Sequence, residues 1–391
     1  MKITAIFTKS FISLIVIMNF LSQILKGSKP KDTIRPLSNV TPAVEKTKPT
    51  VPEFSSAPYD PTVPGISVVC ISDTHGLHLN EKMVDIPPAD LIIHAGDMTS
   101  TGTLSQLESF VSWFEELPHP NKVFIAGNHD ITIDTEYYVA RGCKRFHSLE
   151  SEVDPREFSQ QCRRVFTSRE KSCYLEDSAV YISPCPGTSA TAAATATAAA
   201  TADATAATAD ATAAATATAT ATADATAATA DATAATADAT AGAKCVHLVS
   251  ESDSSGDSAD KLCIYGSPWQ PEFCDWAFNL ERGPDSARVW AKIPANTDVL
   301  ITHGPPQGYG DFTSSGFACG CEDMLAVLKD MQTPPRVHIF GHIHEAYGHW
   351  TDGKTLFINA STCTFLHKPL NKPLLFHLPF DKSLPATIIN Y

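Results

Sequence analysis

The chain is short of several features that would classify it quickly. It has no basic stretch: 29 Lys and Arg face 43 Asp and Glu, for a formal net charge of −14. A nucleic-acid binder needs a positive footprint for the phosphate backbone, so that class of polymer partner is excluded. The charge does not exclude a small anionic substrate held through metal ions. No C-x-x-C pair occurs, and the 11 cysteines are scattered and odd in number. That argues against a disulfide framework or a zinc-ribbon site and favours reduced thiols. Cys319-Gly-Cys321 lacks the second pair that structural zinc sites use, so it is read as a loop.

Long apolar runs are also missing. The charge-free stretch with the strongest apolar core, Ser10 to Leu25 behind Lys2 and Lys9, has 16 residues. It is short for a membrane span and is interrupted by Asn19, Ser22 and Gln23. Residues 1–26 are therefore read as an apolar leader, a signal-peptide or anchor candidate without a clear cleavage site. If it functions, it implies membrane association or secretory targeting; if not, the chain is cytoplasmic. The thiols and the leader point to opposite compartments. Residues 27–64, rich in Pro, Ser, Thr and Lys, read as a disordered linker, with a sequon at Asn39-Val-Thr41.

Large side chains are absent from residues 189–243, where Thr-Ala-Asp-Ala-Thr-Ala-Ala recurs with a period of seven. A coiled coil needs bulky a and d residues, and this unit offers only Ala and Thr. With nothing to bury, it cannot offset its ordering entropy. Together with the acidic Ser250–Asp260 it is read as a low-complexity insertion, residues 186–260, within one globular domain spanning 65–391.

What is present is a set of five apolar runs, each ending on residues that can bind a metal. Val68–Ile71 leads to Asp73-Thr-His75, Leu91–Ile93 to Gly96-Asp97, and Val123–Ala126 to Gly127-Asn-His-Asp130. Val299–Thr302 leads to His303, and Val337–Phe340 to Gly341-His-Ile-His344. Short apolar runs predict buried strands, and ligands in α/β sheets gather at the carboxyl ends of strands. Thr103-Leu-Ser-Gln106 predicts a capping box, with Leu104, Leu107, Phe110, Val111, Phe114 and Leu117 at helical spacing behind it. Further helices are expected at Asp285–Ile293 and Glu322–Met331.

Each motif alone has an ordinary reading as a cap, a turn or a surface pair. All five in order, each after an apolar run, point to one shared site. Imidazole and oxygen donors without thiolate suit a transition metal. Seven such groups exceed one tetrahedral shell and fit two ions about 3.5–4 Å apart. Two cations can neutralise an anionic phosphoester, lower the pKa of a bridging water and hold both oxygens for in-line attack. His129, beside Asn128, is the candidate general acid, with Asp130 as its orienting partner. His94 reads as a core histidine, and the histidines outside the motifs read as surface or packing residues.

These motifs resemble the signature of the calcineurin-like metallophosphoesterases. Ile71-Ser-Asp-Thr-His75, Ile125-Ala-Gly-Asn-His129, Tyr265-Gly-Ser-Pro-Trp269, Ile301-Thr-His-Gly-Pro-Pro306, Phe340-Gly-His-Ile-His-Glu345 and Ile358-Asn-Ala-Ser-Thr-Cys363 resemble the metallophosphoesterase-domain-containing subgroup. The resemblance implies an α/β fold, a four-layer α/β/β/α sandwich of two mixed sheets flanked by helices. It implies a first metal held by Asp73, His75, Asp97 and His344, and a second held by Asp97, Asn128, His303 and His342. Manganese or iron is the expected ion, with zinc as an alternative. Trp269 and Pro305 are candidates for the substrate mouth. The expected activity is hydrolysis of small phosphodiesters such as cyclic nucleotides. The alternatives are a phosphomonoesterase or protein phosphatase, and, in another class, a metal-stabilised scaffold that uses the insertion for partners.

Overall fold

The computed structural model describes residues 59–147, 149–150, 152–184, 246–249 and 261–391. The leader, most of the linker and the Ala/Thr/Asp repeat lie outside them. Among the described residues no helix is long and apolar enough to cross a membrane, and the nine described cysteines are free thiols.

Every predicted strand is present. β1 (Gly65–Ile71), β2 (Leu91–Ala95), β3 (Asn121–Ile125) and β4 (Cys173–Tyr174) run parallel to one another. The antiparallel strands β14 (Leu374–Pro379) and β15 (Thr387–Ile388) complete a six-stranded sheet in the order β15-β14-β1-β2-β3-β4. The second sheet has seven strands, in the order β12-β13-β11-β10-β7-β5-β6. They are β5 (Ser178–Pro184), β6 (Val246–Val249), β7 (Leu262–Ser267), β10 (Thr297–Thr302), β11 (Val337–Phe340), β12 (Gly348–Thr351) and β13 (Leu356–Asn359). A two-stranded ribbon, β8 (Gln270–Pro271) with β9 (Asn279–Leu280), stands apart.

One sequence boundary shifts. Val246–Val249 falls inside the expected insertion yet forms the edge strand β6, paired antiparallel with β5 from Tyr181↔Val249 to Pro184↔Val246. Val246 is buried, so four residues with two valines and a leucine bury area that the flanking Ala/Thr/Asp and Ser/Asp stretches cannot.

Side-chain alternation builds the layers, because successive strand residues face opposite ways. Val68, Cys70, Leu91, Ile93, Val123 and Ile125 of the first sheet meet Ile264, Val299, Ile301, Val337, Ile339 and Ile358 of the second. The opposite face of the first sheet, with Val69, Ile71, Ile92 and Phe124, packs on α1 (Leu104–Glu116) and α2 (Pro155–Thr167). Tyr265 and Leu300 of the second sheet pack on α3 (Pro284–Trp290) and α4 (Glu322–Asp330). The result is the expected α/β/β/α sandwich. The capping box at Thr103 is complete, with both reciprocal bonds to Gln106. Leu107, Phe110, Val111 and Phe114 are the buried stripe of α1, each contributing about 1.5–3 kcal/mol through burial. Cys321 caps α4, its sulfur accepting from the Met324 amide, which gives that cysteine a structural role.

Candidate metal centre

The carboxyl ends of β1, β2 and β3 in one sheet, and of β10 and β11 in the other, meet at one edge of the sandwich. Backbone bonds stitch them together. The Asp73 amide donates to the Gly96 carbonyl (2.9 Å) and the His75 amide to that of Asp97 (3.0 Å). Between sheets, the Thr362 amide donates to the Ser72 carbonyl (2.7 Å), and the Ser361 hydroxyl donates to Asp73 Oδ2 (2.9 Å).

All seven predicted ligand residues converge there, in two sets that share Asp97. In the first, Asp73 Oδ1 lies 3.3 Å from His344 Nε2 and 4.0 Å from His75 Nε2. Asp97 Oδ2 lies 3.8 Å from His75 Nε2, and the Nε2 atoms of His75 and His344 face each other at 3.1 Å. In the second, Asp97 Oδ2 lies 3.3 Å from His303 Nε2, which lies 3.0 Å from Asn128 Oδ1. His342 joins Asp97 and His303 in a group of potential ligand atoms within 4.8 Å of one another.

The chemistry of this donor set fits a cation. The seven side chains offer carboxylate and amide oxygens and imidazoles, and none of them is a thiol. Nδ1 of His303 meets the Ala95 carbonyl (3.0 Å) and Nδ1 of His344 meets that of Thr364 (3.2 Å). A carbonyl only accepts, so Nδ1 carries a hydrogen, and Nε2 is the nitrogen that offers a lone pair to a metal once it gives up its proton. Asp73 Oδ2 is held by Ser361 and the His342 amide. Burial alone would raise both carboxyls, but the surrounding histidines, His344 for Asp73 and His303 for Asp97, hold them below the usual range. Burial opposes charge on His303 as well, yet Asp97 raises its imidazole to about 9. Two buried, ionised carboxylates need a counter-charge, which a divalent ion supplies.

Close approach and backbone strain accompany the site. A Cβ on Gly127 would sit 2.3 Å from Asp97 Oδ1, and one on Gly341 would sit 2.1 Å from Asp73 Oδ2. Asp73, His75, Asp97 and His342 all have left-handed backbone, with φ from 46° to 68°. Such residues cost on the order of 1–3 kcal/mol each and cluster at functional sites.

His129 also reaches the centre. Its ring packs edge-on against His75 (centroids 4.5 Å), and its nitrogen falls within 4.8 Å of ligand atoms of His75 and Asp97. Its amide donates to Asp97 Oδ1 (2.7 Å), and its Nδ1 meets the Ser100 carbonyl (2.9 Å). The expected partnership with Asp130 is corrected here. Asp130 is fully buried and accepts from the Gly127 amide (2.9 Å) and from the Thr99 amide and hydroxyl (3.0 and 2.7 Å). Its carboxylate is spent on shaping the Gly127–Asp130 turn and does not reach the imidazole.

His94 is a core histidine, stacked edge-on against Phe110 and bonded to the Thr74 hydroxyl between two candidate ligands. Trp269 packs on Phe278 and donates to Asp177 (3.3 Å); Pro305 is buried, and its carbonyl accepts from the Cys321 amide. The aromatic rings that touch site imidazoles are different ones. Trp276 lies against His129 (centroids 4.1 Å) and Phe273 against His342 (4.9 Å), both from the β8–β9 loop. His367, read as a surface or packing residue, stands beside His75 and His344. Only its residue type marked it in the sequence.

Comparison with known proteins agrees with this geometry. Residues 66–177 match the family model described as calcineurin-like phosphoesterase. Metallophosphoesterase domain-containing protein 1 of Homo sapiens is 30% identical over 340 residues, covering 86% of this chain and 78% of that protein; the Mus musculus protein gives the same values. UPF0046 protein T07D4.2 of Caenorhabditis elegans is 30% identical over 318 residues, covering 80% of this chain and 60% of its own length. With the sandwich, the strand-end ligand residues and these relatives in agreement, the chain belongs to the calcineurin-like metallophosphoesterases, in the subgroup of the metallophosphoesterase domain-containing proteins.

Proposed function

We propose that the protein is a binuclear metal-dependent phosphoester hydrolase that favours small phosphodiesters, cyclic nucleotides among them. The observation that carries this reading is the pair of ligand sets sharing Asp97. Asp73, His75, Asp97 and His344 would hold one ion; Asp97, Asn128, His303 and His342 would hold the other. Mn²⁺ and iron suit this mixture of imidazole and oxygen donors. When bound, two such ions neutralise the phosphoryl oxygens and acidify a water for in-line attack.

The chain's own groups supply the rest. Oδ1 of Asp97 is committed to the His129 amide, which leaves Oδ2 as the oxygen nearest both His75 and His303. His129 presents Nε2 to the site, because its Nδ1 is anchored on Ser100. A proton on that nitrogen can pass to the departing ester oxygen. Trp276 covers one face of the ring and restricts its rotation.

The test is hydrolysis by Mn²⁺-loaded protein of a bis-aryl phosphate, an aryl phosphate and 3′,5′-cyclic AMP. The diesters should be cleaved faster than the monoester, and Asp97→Asn or His303→Ala should lower kcat at least 100-fold. Full activity in both variants, or preference for the monoester, would overturn the respective part of the reading.

A further inference from the structure

We propose that His367 is a substrate-contacting residue that donates a hydrogen bond to a phosphoryl oxygen, outside the set of metal ligands. The inference rests on the phosphoesterase reading and adds to it a group that no motif contains. His367 lies at a tight turn after β13. The Thr364 amide donates to the Lys368 carbonyl (2.9 Å), and the His367 amide donates to the Thr364 carbonyl (2.7 Å). That Thr364 carbonyl also receives Nδ1 of His344 (3.2 Å), so the turn is fastened to a candidate metal ligand. The His367 backbone is left-handed, with φ 51°.

The turn sends the imidazole back toward the centre. Its ring centroid lies 5.1 Å from that of His75 and 5.1 Å from that of His344. One of its nitrogens lies within 4.8 Å of ligand nitrogens of both. Two imidazoles outside the motif's ligand set therefore flank His75: His129 at 4.5 Å and His367 at 5.1 Å.

Two features distinguish His367 from candidate ligands such as His303. It is solvent-exposed, whereas Asp73, His75, Asp97, Asn128 and His303 are buried. Its ring also makes no hydrogen bond among the described residues, whereas His303 and His344 have the far nitrogen fixed on a carbonyl. An exposed imidazole with an uncommitted N–H, beside two of the candidate ligand histidines, suits a phosphoryl oxygen. Neutral imidazole keeps one N–H, so the contact does not require a charged ring.

The experiment uses the Mn²⁺-loaded full chain and two variants. His367→Asn tolerates the left-handed backbone but falls short of the site; His367→Gln restores reach and an N–H. Metal content, inorganic phosphate affinity by calorimetry, and KM and kcat on a bis-aryl phosphate are measured. His367→Asn should keep the wild-type metal content, weaken phosphate binding and raise KM about tenfold, about 1.4 kcal/mol, and change kcat less than threefold. His367→Gln should recover most of the loss. Metal loss in His367→Asn would make it a ligand and overturn the proposal, as would unchanged phosphate affinity and KM. Wild-type protein that binds phosphate through His367 but cleaves no ester would defeat the hydrolase reading and leave this contact standing.

Discussion

A neutral imidazole has one N–H, and at His129 the Ser100 carbonyl claims it (2.9 Å). To act as an acid the ring must therefore carry its second proton on Nε2. Burial pulls its pKa below the ordinary value, against the opposing pull of Asp97, and so makes the protonated ring a stronger donor. His129→Ala should then cost little with an activated aryl leaving group and about 100-fold or more with an alkyl one; equal losses on the two esters would argue against proton delivery. Asp130 separates from it in the same assay. Asp130→Asn turns an amide NH₂ toward buried donors, and each unsatisfied polar group costs about 1–3 kcal/mol. Its urea midpoint should fall while the ratio of rates on the two esters stays at the wild-type value. The convergence of the seven candidate ligand residues is legible in the sequence because each follows a strand at short spacing. It paired His129 with Asp130 by adjacency alone, and adjacency does not say which oxygen a ring nitrogen meets. His367, Trp276 and Phe273 stood in loops with no period, so nothing in the sequence indicated their placement beside the ligands.

The five ligand-bearing strands are legible because buried parallel strands are short, apolar and end abruptly, and α1 because Thr103 and Gln106 satisfy each other at its start; α2 and the outer strands are not. Strand order was not legible, since β1 lies between β2 and β14 and that pairing joins residues about three hundred positions apart. The element ends do the chemical work, and Gly127, just after β3, is the sharpest case. A Cβ there meets Asp97 Oδ1 at 2.3 Å and the Asp97 backbone nitrogen at 2.4 Å. Gly127→Ala should displace Asp97 and lower bound metal measurably in dialysed protein; retention of the full complement would mean the turn can yield. The interior of the second sheet holds a different signal. His338 of β11 is fully buried and bonded through Nε2 to the Thr302 hydroxyl (2.8 Å), and among the described residues its Nδ1 has no hydrogen-bond partner. Burial lowers its pKa to about 3 from 6.5. The unfolded chain therefore takes up a proton below pH 6.5 that the folded chain refuses until about pH 3. Its contribution to stability is full above pH 6.5 and falls as pH drops through that window, by up to about 1.4 kcal/mol per pH unit. In EDTA-treated protein, stability of His338→Gln should fall less steeply between pH 6.5 and 5 than that of wild type, measured by urea unfolding; parallel slopes would count against it.

For the molecule as a whole, the question is what residues 185–245 contribute to the domain they interrupt. They depart from Pro184 and return at Val246, and these two residues are direct partners at the end of the β5–β6 pair. That pair lies at the edge of the second sheet, whereas the candidate ligands follow β1, β2, β3, β10 and β11. The point of departure is thus a hairpin tip, the location where chain length can change with least effect on a fold. Loop closure entropy grows only with the logarithm of length, so replacing the segment by Asn-Gly should stabilise the domain by about 2–3 kcal/mol. Asn-Gly supplies the positive φ values that a two-residue hairpin requires. The shortened protein should unfold at higher urea, bind metal as the full chain does and keep kcat/KM on a phosphodiester within about twofold. The rival view, in which the Ala/Thr/Asp repeat recruits partners on a metal-stabilised scaffold, makes the opposite demand. It requires wild-type protein that cleaves no phosphoester, and loss of a binding partner on deletion. An active, more stable, shortened enzyme would place the chemistry in the sandwich and leave the repeat outside it.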